Sequence, residues 1–188
     1  AKAVTNTFSL QTKAKGDGDE FIIDGQKTWI TNAERSDAII VLARTDDQEN
    51  VKEKTDGLTC FLVDLPANGI ESSPIPKLGF NYTKSCDVFF DGVRVHEDDV
   101  LGEVGEGWSH VVDTITTERV AHTAGAIGSG RLAIDRAVNY AKERVVFDQP
   151  IGSYQAIQFP MAALTSRLET ARTLNHKAAW EYDNGRSY

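Results

Sequence analysis

The sequence predicts an α+β protein, with an antiparallel β-sandwich or barrel over residues 1–103 and the antiparallel long helices of a helical bundle over residues 104–188. Two observations support this prediction. Before residue 103, short apolar runs recur at near-regular spacing between turn residues, which is typical of antiparallel sheets. After Gly105, apolar residues recur every three or four positions, which is the period of an amphipathic helix.

The strands of the first half are predicted from apolar runs and from the turn residues between them. Asp24-Gly25 and Asp91-Gly92 are expected to form turns, because both pairs favour left-handed backbone. The run at 38–43 is continuously apolar and predicts a central strand that is covered on both faces. Strands are expected at residues 7–12, 21–23, 28–31, 38–43, 58–65, 69–75 and 86–90.

The first long helix is predicted from an apolar stripe that runs from Trp108 to Ala141. Gly125, Gly128 and Gly130 interrupt this stripe, and each costs about 1 kcal/mol relative to alanine in a helix. Such glycines indicate either the close approach of another helix or a ligand, or a kink in the helix.

The second long helix is expected to follow a loop at residues 147–152, with Ser153 as its N-cap and Asn184-Gly185 as its end. Two long helices joined by a short loop should pack antiparallel. They cannot bury all of their apolar surface alone, so further helices or another subunit are expected to cover the rest.

The composition argues against several classes of function. The 188 residues carry a net charge of −8, which disfavours nucleic acid or an anionic membrane as the main partner. No apolar run reaches the length of about 18 residues that a membrane span needs. The four histidines and two cysteines lack metal-ligand spacing, so no metal site is expected and Cys60 and Cys86 are interpreted as buried apolar residues.

Three motifs are candidates for chemistry: the run 25–32 that contains Trp29-Ile30-Thr31, the segment 144–147, and the pair 154–155. An aromatic wall that excludes water, beside a hydrogen-bond donor, suits a flavin ring. An arginine fork such as Arg144 suits phosphate oxygens. Each also has a plain structural interpretation: Trp29 as a half-buried strand residue, and Arg144 as a solvated cation at a helix C-terminus.

Taken together, the motifs resemble the acyl-CoA dehydrogenase family, and the resemblance covers nearly the whole chain. In that family a helical domain, a middle β-domain and a C-terminal helical domain follow one another. We therefore expect the chain to be incomplete, beginning just after one flavin-binding loop and ending inside the C-terminal helical domain.

The resemblance implies FAD as the cofactor. Trp29, Ile30 and Thr31 would contact the flavin ring. Four residues would reach the adenosine diphosphate part of an FAD held by a neighbouring subunit: Arg144, Phe147, Tyr154 and Gln155. Asp148 stands where the family usually has glycine, and a carboxylate beside a diphosphate is unfavourable unless it turns outward.

The resemblance also implies a substrate-contacting segment with Thr116, Thr117 and Arg119. The reaction needs a carboxylate base with a raised pKa to remove the α-proton of the thioester. In the isovaleryl and long-chain branches of the family this base lies at the position of Glu118, and in most other members it lies on a later helix that this chain lacks. Glu118 is alternatively an ion-pair partner of His122, one helical turn on.

The function that the resemblance implies is FAD-dependent oxidation of an acyl-CoA to the trans-2-enoyl-CoA. Electrons would pass to an electron-transferring flavoprotein, and the protein would be a homodimer or homotetramer in the bacterial cytoplasm or the mitochondrial matrix. The same fold also serves acyl-CoA oxidases and flavin monooxygenases. A non-catalytic binding or structural module is the alternative from another class. Acyl chain length and branching are left open.

Overall fold

The structure is a computed structural model that describes residues 9–186. It divides into two compact units, with the division between Val112 and Asp113 inside a long helix. In chain order the strands and helices are β1 (Lys13–Asp17), β2 (Glu20–Thr31), β3 (Ala38–Arg44), β4 (Leu58–Asp64), β5 (Ile70–Pro74), β6 (Ser85–His96), β7 (Val100–Leu101), α1 (Gly107–Glu143), β8 (Val145–Val146), β9 (Gln149–Pro150) and α2 (Gln155–Asp183).

The first unit is built on a mixed, mostly antiparallel sheet of seven strands in the order β5-β6-β2-β1-β3-β4-β7. The parallel contact is short and joins β1 to β3 at Lys13 and Arg44. The predicted antiparallel β-domain is confirmed. Among the described strands β5 and β7 form the edges, and no pairing closes the sheet into a barrel.

The predicted turns at Asp24-Gly25 and Asp91-Gly92 are wrong. Both pairs lie inside 12-residue strands, β2 and β6, which pair along their whole length. Asp91 and Gly92 together oppose Asp24, which makes a β-bulge on β6. The Gly92 N–H donates a hydrogen bond of 2.8 Å to the Asp24 carboxylate, and Gly92 has a φ of 62°. A glycine in the left-handed conformation is found in bulges as well as in turns, so the Asp-Gly pair is compatible with both.

The predicted strand at residues 7–12 is also not observed where the structure describes it. Thr7 and Phe8 lie outside the described residues, and the first strand begins only at Lys13. Thr12 is buried and donates its hydroxyl hydrogen to the carbonyl of Gln26. Its backbone lies so close to Gly25 that a Cβ on that glycine would be 2.8 Å from the Thr12 Cα.

The core of the first unit lies on the inner face of the curled sheet. Strands that are not neighbours meet there, as the rings of Phe21 on β2 and Phe61 on β4 lie 5.1 Å apart. Cys60 and Cys86 are both buried and both free, which confirms their interpretation as apolar core residues.

In the second unit α1 continues without a break through its three glycines. Gly130 is the site of close approach, because a Cβ there would lie 3.0 Å from the Leu168 side chain of α2. Gly125 and Gly128 face open space.

The two helices are antiparallel, as predicted. The beginning of α2 lies at the end of α1, where a Cβ on Gly152 would be 3.0 Å from the Ala141 carbonyl. Further along α2, the Asn175 amide donates to the Val120 carbonyl at 3.3 Å. The N-cap of α2 is Tyr154 and not Ser153, while the helix ends at Asp183 before Asn184, close to the predicted end.

Large apolar side chains of the second unit remain exposed, and none of the residues of α2 is buried. The exposed set includes Leu132, Phe159, Leu164, Leu174 and Trp180. Two helices therefore leave much apolar surface uncovered, as expected. Within the described residues, no helix is both long and apolar enough to cross a membrane.

Lys27 places its ammonium group in a partly buried position in the first unit. Its Nζ donates to the carbonyl of Leu42 on β3. Burial lowers the pKa of Lys27 to about 8, although the neighbouring Cys60 thiol group acts in the opposite direction. Burial likewise raises the pKa of Cys60.

We expect the free energy of unfolding to rise with pH between about 8 and 10.5, the folded and ordinary pKa values of Lys27. Below this window Lys27 is charged in both states, and the folded state carries the cost of burying the ammonium group. Within it the folded protein releases the proton first, so the unfolded state binds more protons and stability increases. Lys27→Met removes the pH-dependent contribution of Lys27 to the free energy of unfolding.

The measurement is urea unfolding of the wild type and of Lys27→Met across the window, with Lys15→Met as the exposed control on β1. The stability of the wild type relative to Lys27→Met should increase with pH. If the difference in the free energy of unfolding between the wild type and Lys27→Met stays constant across this pH window, the burial of the ammonium group is contradicted.

Candidate functional site

A second bulge decides which way Trp29 faces. Near the end of β2, Thr28 and Trp29 together oppose the single residue Asp87 of β6. Side chains alternate along a strand, so without this extra residue Trp29 would point into the core on the side of Ile23. The bulge shifts the alternation by one residue. Ile30 therefore packs against the core, and Trp29 is 51% exposed.

Trp29 also has an unusual backbone conformation, with a φ of 63°. A left-handed conformation is rare for a bulky residue and costs on the order of 1–3 kcal/mol. Bulges of this kind re-aim side chains and are frequent beside active sites. The combination of strain and exposure therefore points to a role for the indole outside the core.

The residues after Trp29 complete an outward-facing surface at the end of β2. Thr31 is exposed on the same face as Trp29, two residues along the strand. Asn32, with a φ of 57°, ends the strand, and its carbonyl accepts hydrogen bonds from both the backbone N–H and the hydroxyl of Ser36. An exposed indole beside a hydroxyl fits the aromatic wall and the donor that a flavin ring needs.

Of the three residues predicted to contact the flavin ring, the structure thus brings Trp29 and Thr31 to one exposed face. The side chain of Ile30 lies on the core side, so only its backbone remains for a ligand. The bulge was missed in the sequence. The sequence carries no clear signal of it, because Ile22 and Ile30 are apolar at even positions of β2 and Phe21, Ile23 and Trp29 are apolar at odd ones.

In the second unit a two-residue hairpin presents Phe147. The predicted loop contains β9, which pairs with β8 immediately before the loop through Gln149 and Val146, and Phe147 and Asp148 form the turn between the two strands. Both turn residues are left-handed, with φ values of 52° and 63°. This is the backbone pattern of a type I′ hairpin turn. Phe147 is 87% exposed at its tip.

The other residues predicted to reach the adenosine diphosphate surround this hairpin. Arg144 and Gln155 are exposed, and the Arg144 carbonyl accepts a hydrogen bond of 2.8 Å from the Ile151 N–H. Tyr154 has a structural task as well, since its hydroxyl donates to the Val146 carbonyl at 2.9 Å. Arg144, Phe147 and Gln155 thus leave their side chains accessible, as a diphosphate-binding group requires.

The predicted substrate segment lies on α1. Thr116, Thr117, Glu118 and Arg119 follow one another there, and the Thr117 hydroxyl donates to the Asp113 carbonyl at 3.2 Å. One carboxylate oxygen of Glu118 lies 3.1 Å from the Nε2 of His122. The pairing of Glu118 with His122 that the sequence suggested is therefore present.

The candidate residues fall into two groups, one in each unit. Trp29, Ile30 and Thr31 belong to the first unit, and the remaining candidates belong to the second. Within residues 9–186, no group of three or more His, Cys, Asp or Glu side chains is arranged to hold a metal ion.

Comparison with known proteins identifies the family. The model of the acyl-CoA dehydrogenase middle domain matches residues 2–93, and the model of the acyl-CoA dehydrogenase C-terminal domain matches residues 105–187. Together the two matches cover nearly all of the chain, in the order in which the two units occur. The chain belongs to the acyl-CoA dehydrogenase family.

Individual relatives agree with this assignment. The chain is 38% identical over 184 residues to a 3-(aryl)acrylate reductase of Clostridium sporogenes, covering 97% of this chain and 48% of the relative. It is 36% identical over 178 residues to the mitochondrial short-chain specific acyl-CoA dehydrogenase of Bos taurus, covering 94% of this chain and 42% of the relative. The chain thus spans less than half the length of these relatives.

A solved structure shows the same fold. The butyryl-CoA dehydrogenase of Megasphaera elsdenii superposes with a TM-score of 0.89 at 30% sequence identity, covering 99% of this chain and 48% of that one. The expected fold, a fragment of the acyl-CoA dehydrogenase fold, is therefore confirmed.

Asp148→Gly is expected to stabilise the chain by about 1 kcal/mol. The φ of 63° at Asp148 is left-handed, a conformation that glycine adopts without the cost of a Cβ atom. Asp148→Ala is the matched control, because it also removes the carboxylate but keeps the Cβ. Urea unfolding should show a gain for the glycine variant alone. Equal stability of the two variants would mean that the backbone conformation at Asp148 carries no strain.

Proposed function

We propose that the whole protein is an FAD-dependent acyl-CoA dehydrogenase that converts an acyl-CoA thioester to the trans-2-enoyl-CoA. The observation that supports this most strongly is the outward presentation of Trp29 beside Thr31 by a strained bulge. A half-buried strand tryptophan would need neither the bulge nor the strain.

FAD, when bound, supplies the acceptor for the hydride that leaves the β-carbon of the substrate. The indole of Trp29 would form a wall that keeps water from the flavin ring, and the Thr31 hydroxyl would be a hydrogen-bond donor to it. In the helical unit Arg144 offers a planar fork for diphosphate oxygens, and Phe147 and Gln155 flank it. In this proposal the diphosphate would belong to the FAD of a neighbouring subunit.

Glu118 is the base that we propose for the α-proton, and Thr116, Thr117 and Arg119 are the substrate contacts that we propose in the same segment of α1. A carboxylate becomes an effective base for a carbon acid when it is withdrawn from water, because burial raises its pKa. Glu118 is exposed in this chain. The proposal therefore requires the acyl-CoA, or parts of the protein beyond these residues, to cover it.

The partners follow from the same proposal. An electron-transferring flavoprotein would reoxidise the flavin, and acyl-CoA would be the substrate. The exposed apolar side chains of α1 and α2 favour a homodimer or homotetramer, in which a second copy covers them. The compartment would be the cytoplasm of a bacterium or the mitochondrial matrix of a eukaryote.

A second candidate function is the reduction of an α,β-unsaturated acid or thioester. It is favoured by the 38% identity to a 3-(aryl)acrylate reductase. The two reactions use the same groups in opposite directions: a flavin that exchanges hydride with the β-carbon, and an acid–base residue that exchanges a proton with the α-carbon. An acyl-CoA oxidase or a flavin monooxygenase of the same fold, and a non-catalytic module, are the further alternatives.

The test is the visible spectrum of the full-length protein, recorded anaerobically before and after addition of a panel of acyl-CoAs. We expect flavin bands that bleach with one class of acyl-CoA. If no acyl-CoA bleaches the flavin bands, but an arylacrylate reoxidises the chemically reduced flavin, the reductase function is assigned instead. Reduced flavin that oxygen reoxidises rapidly would assign an oxidase, and a colourless protein would contradict the proposal.

A further inference from the structure

We propose that His122 is the positioning residue of Glu118, holding one carboxylate oxygen by a hydrogen bond so that the other is free to receive the α-proton. This inference rests on the proposed function and deepens it, since neither the family resemblance nor the motif at residues 116–119 assigns a role to His122.

The geometry of α1 carries the proposal. Glu118 Oε1 and His122 Nε2 are 3.1 Å apart, and the two residues are one helical turn from each other. The side of α1 that meets α2 is marked by Val120 and Gly130. At 3.6 residues per turn, Glu118 and His122 lie together on the opposite side of the helix, where α2 does not cover them.

The contact with His122 restricts the directions in which the Glu118 carboxylate can point. A glutamate side chain has several rotatable bonds and two equivalent oxygens, so an unrestrained carboxylate seldom points at one carbon atom. A hydrogen bond from a ring nitrogen to Oε1 fixes the rotamer and leaves Oε2 available. Orientation of a reacting group in this way contributes directly to rate.

A second pair in the same protein serves as a structural reference. Lys177 and Glu181 have the same spacing on α2, with Nζ and Oε1 3.6 Å apart. Side-chain pairs of this spacing add little to helix stability. If the contact of His122 with Glu118 were of the same kind, replacement of His122 would leave the reaction rate unchanged, as replacement of Lys177 does.

The test compares variants of the full-length, flavin-loaded protein. Two rates are measured: exchange of the substrate α-hydrogen with deuterium from D2O, followed by mass spectrometry, and flavin reduction in a stopped-flow instrument. His122→Leu is expected to lower both rates by about tenfold, the effect of one lost hydrogen bond to a charged group, with acyl-CoA affinity unchanged. His122→Gln should restore most of each rate, because its Nε2 lies the same number of bonds from Cβ.

Lys177→Met is the matched control and is expected to leave both rates unchanged. The positioning role would be overturned by a His122→Leu variant that exchanges the α-hydrogen at the wild-type rate, and equally by a His122→Gln variant that is as slow as His122→Leu.

Glu118→Gln separates this inference from the proposed function. If Glu118→Gln keeps the wild-type exchange rate while acyl-CoA still reduces the wild-type flavin, the protein is a dehydrogenase with another base, and the role of His122 is refuted. If no acyl-CoA reduces the wild-type flavin, the proposed function itself fails and the inference falls with it.

Discussion

The pairing of β2 with β6 is the constraint on which the rest of the first unit depends. It joins Glu20 to His96 at one end and Thr31 to Ser85 at the other. Between these ends each strand carries one bulge, and the two bulges offset the register in opposite directions. The two offsets cancel, so the register of β2 against β6 is the same at both ends of the pairing. Apolar side chains therefore continue to face the core. The cost of this arrangement is concentrated at Trp29, where the backbone becomes left-handed and the indole turns outward.

The fold class could be predicted from the sequence because it follows from local periods. Strand-like runs, the helical stripe after Gly105 and the apolar surroundings of Cys60 and Cys86 are all visible within short windows. The positions of the bulges could not be predicted in this way. Asp-Gly pairs are compatible with a turn and with a bulge. Which of the two forms depends on the pairing with the neighbouring strand. Asp24 illustrates this, since its carboxylate caps the Gly92 N–H of β6.

The candidate site was found as a set of residues, but the task of each residue depends on contacts that no motif records. Ile30 belongs to the motif and packs against the core. Tyr154 belongs to another motif and braces the β8–β9 hairpin through Val146. Glu118 was recognised as a candidate base by resemblance, and its spacing of one helical turn also indicated the contact with His122 that the structure shows at 3.1 Å. Motifs thus identify the candidate residues. The alternation of side chains along each strand and the hydrogen bonds determine what each of these residues contacts.

We propose that the bulge of β2 turns Trp29 outward to contact a flavin. The most direct measurement is an experimental structure of the full-length protein with its cofactor bound. We predict that the isoalloxazine ring packs against the Trp29 indole, with the left-handed backbone at Trp29 retained and the Thr31 hydroxyl within hydrogen-bonding distance of the ring edge. A flavin bound elsewhere, with the indole of Trp29 still in solvent, would contradict the account.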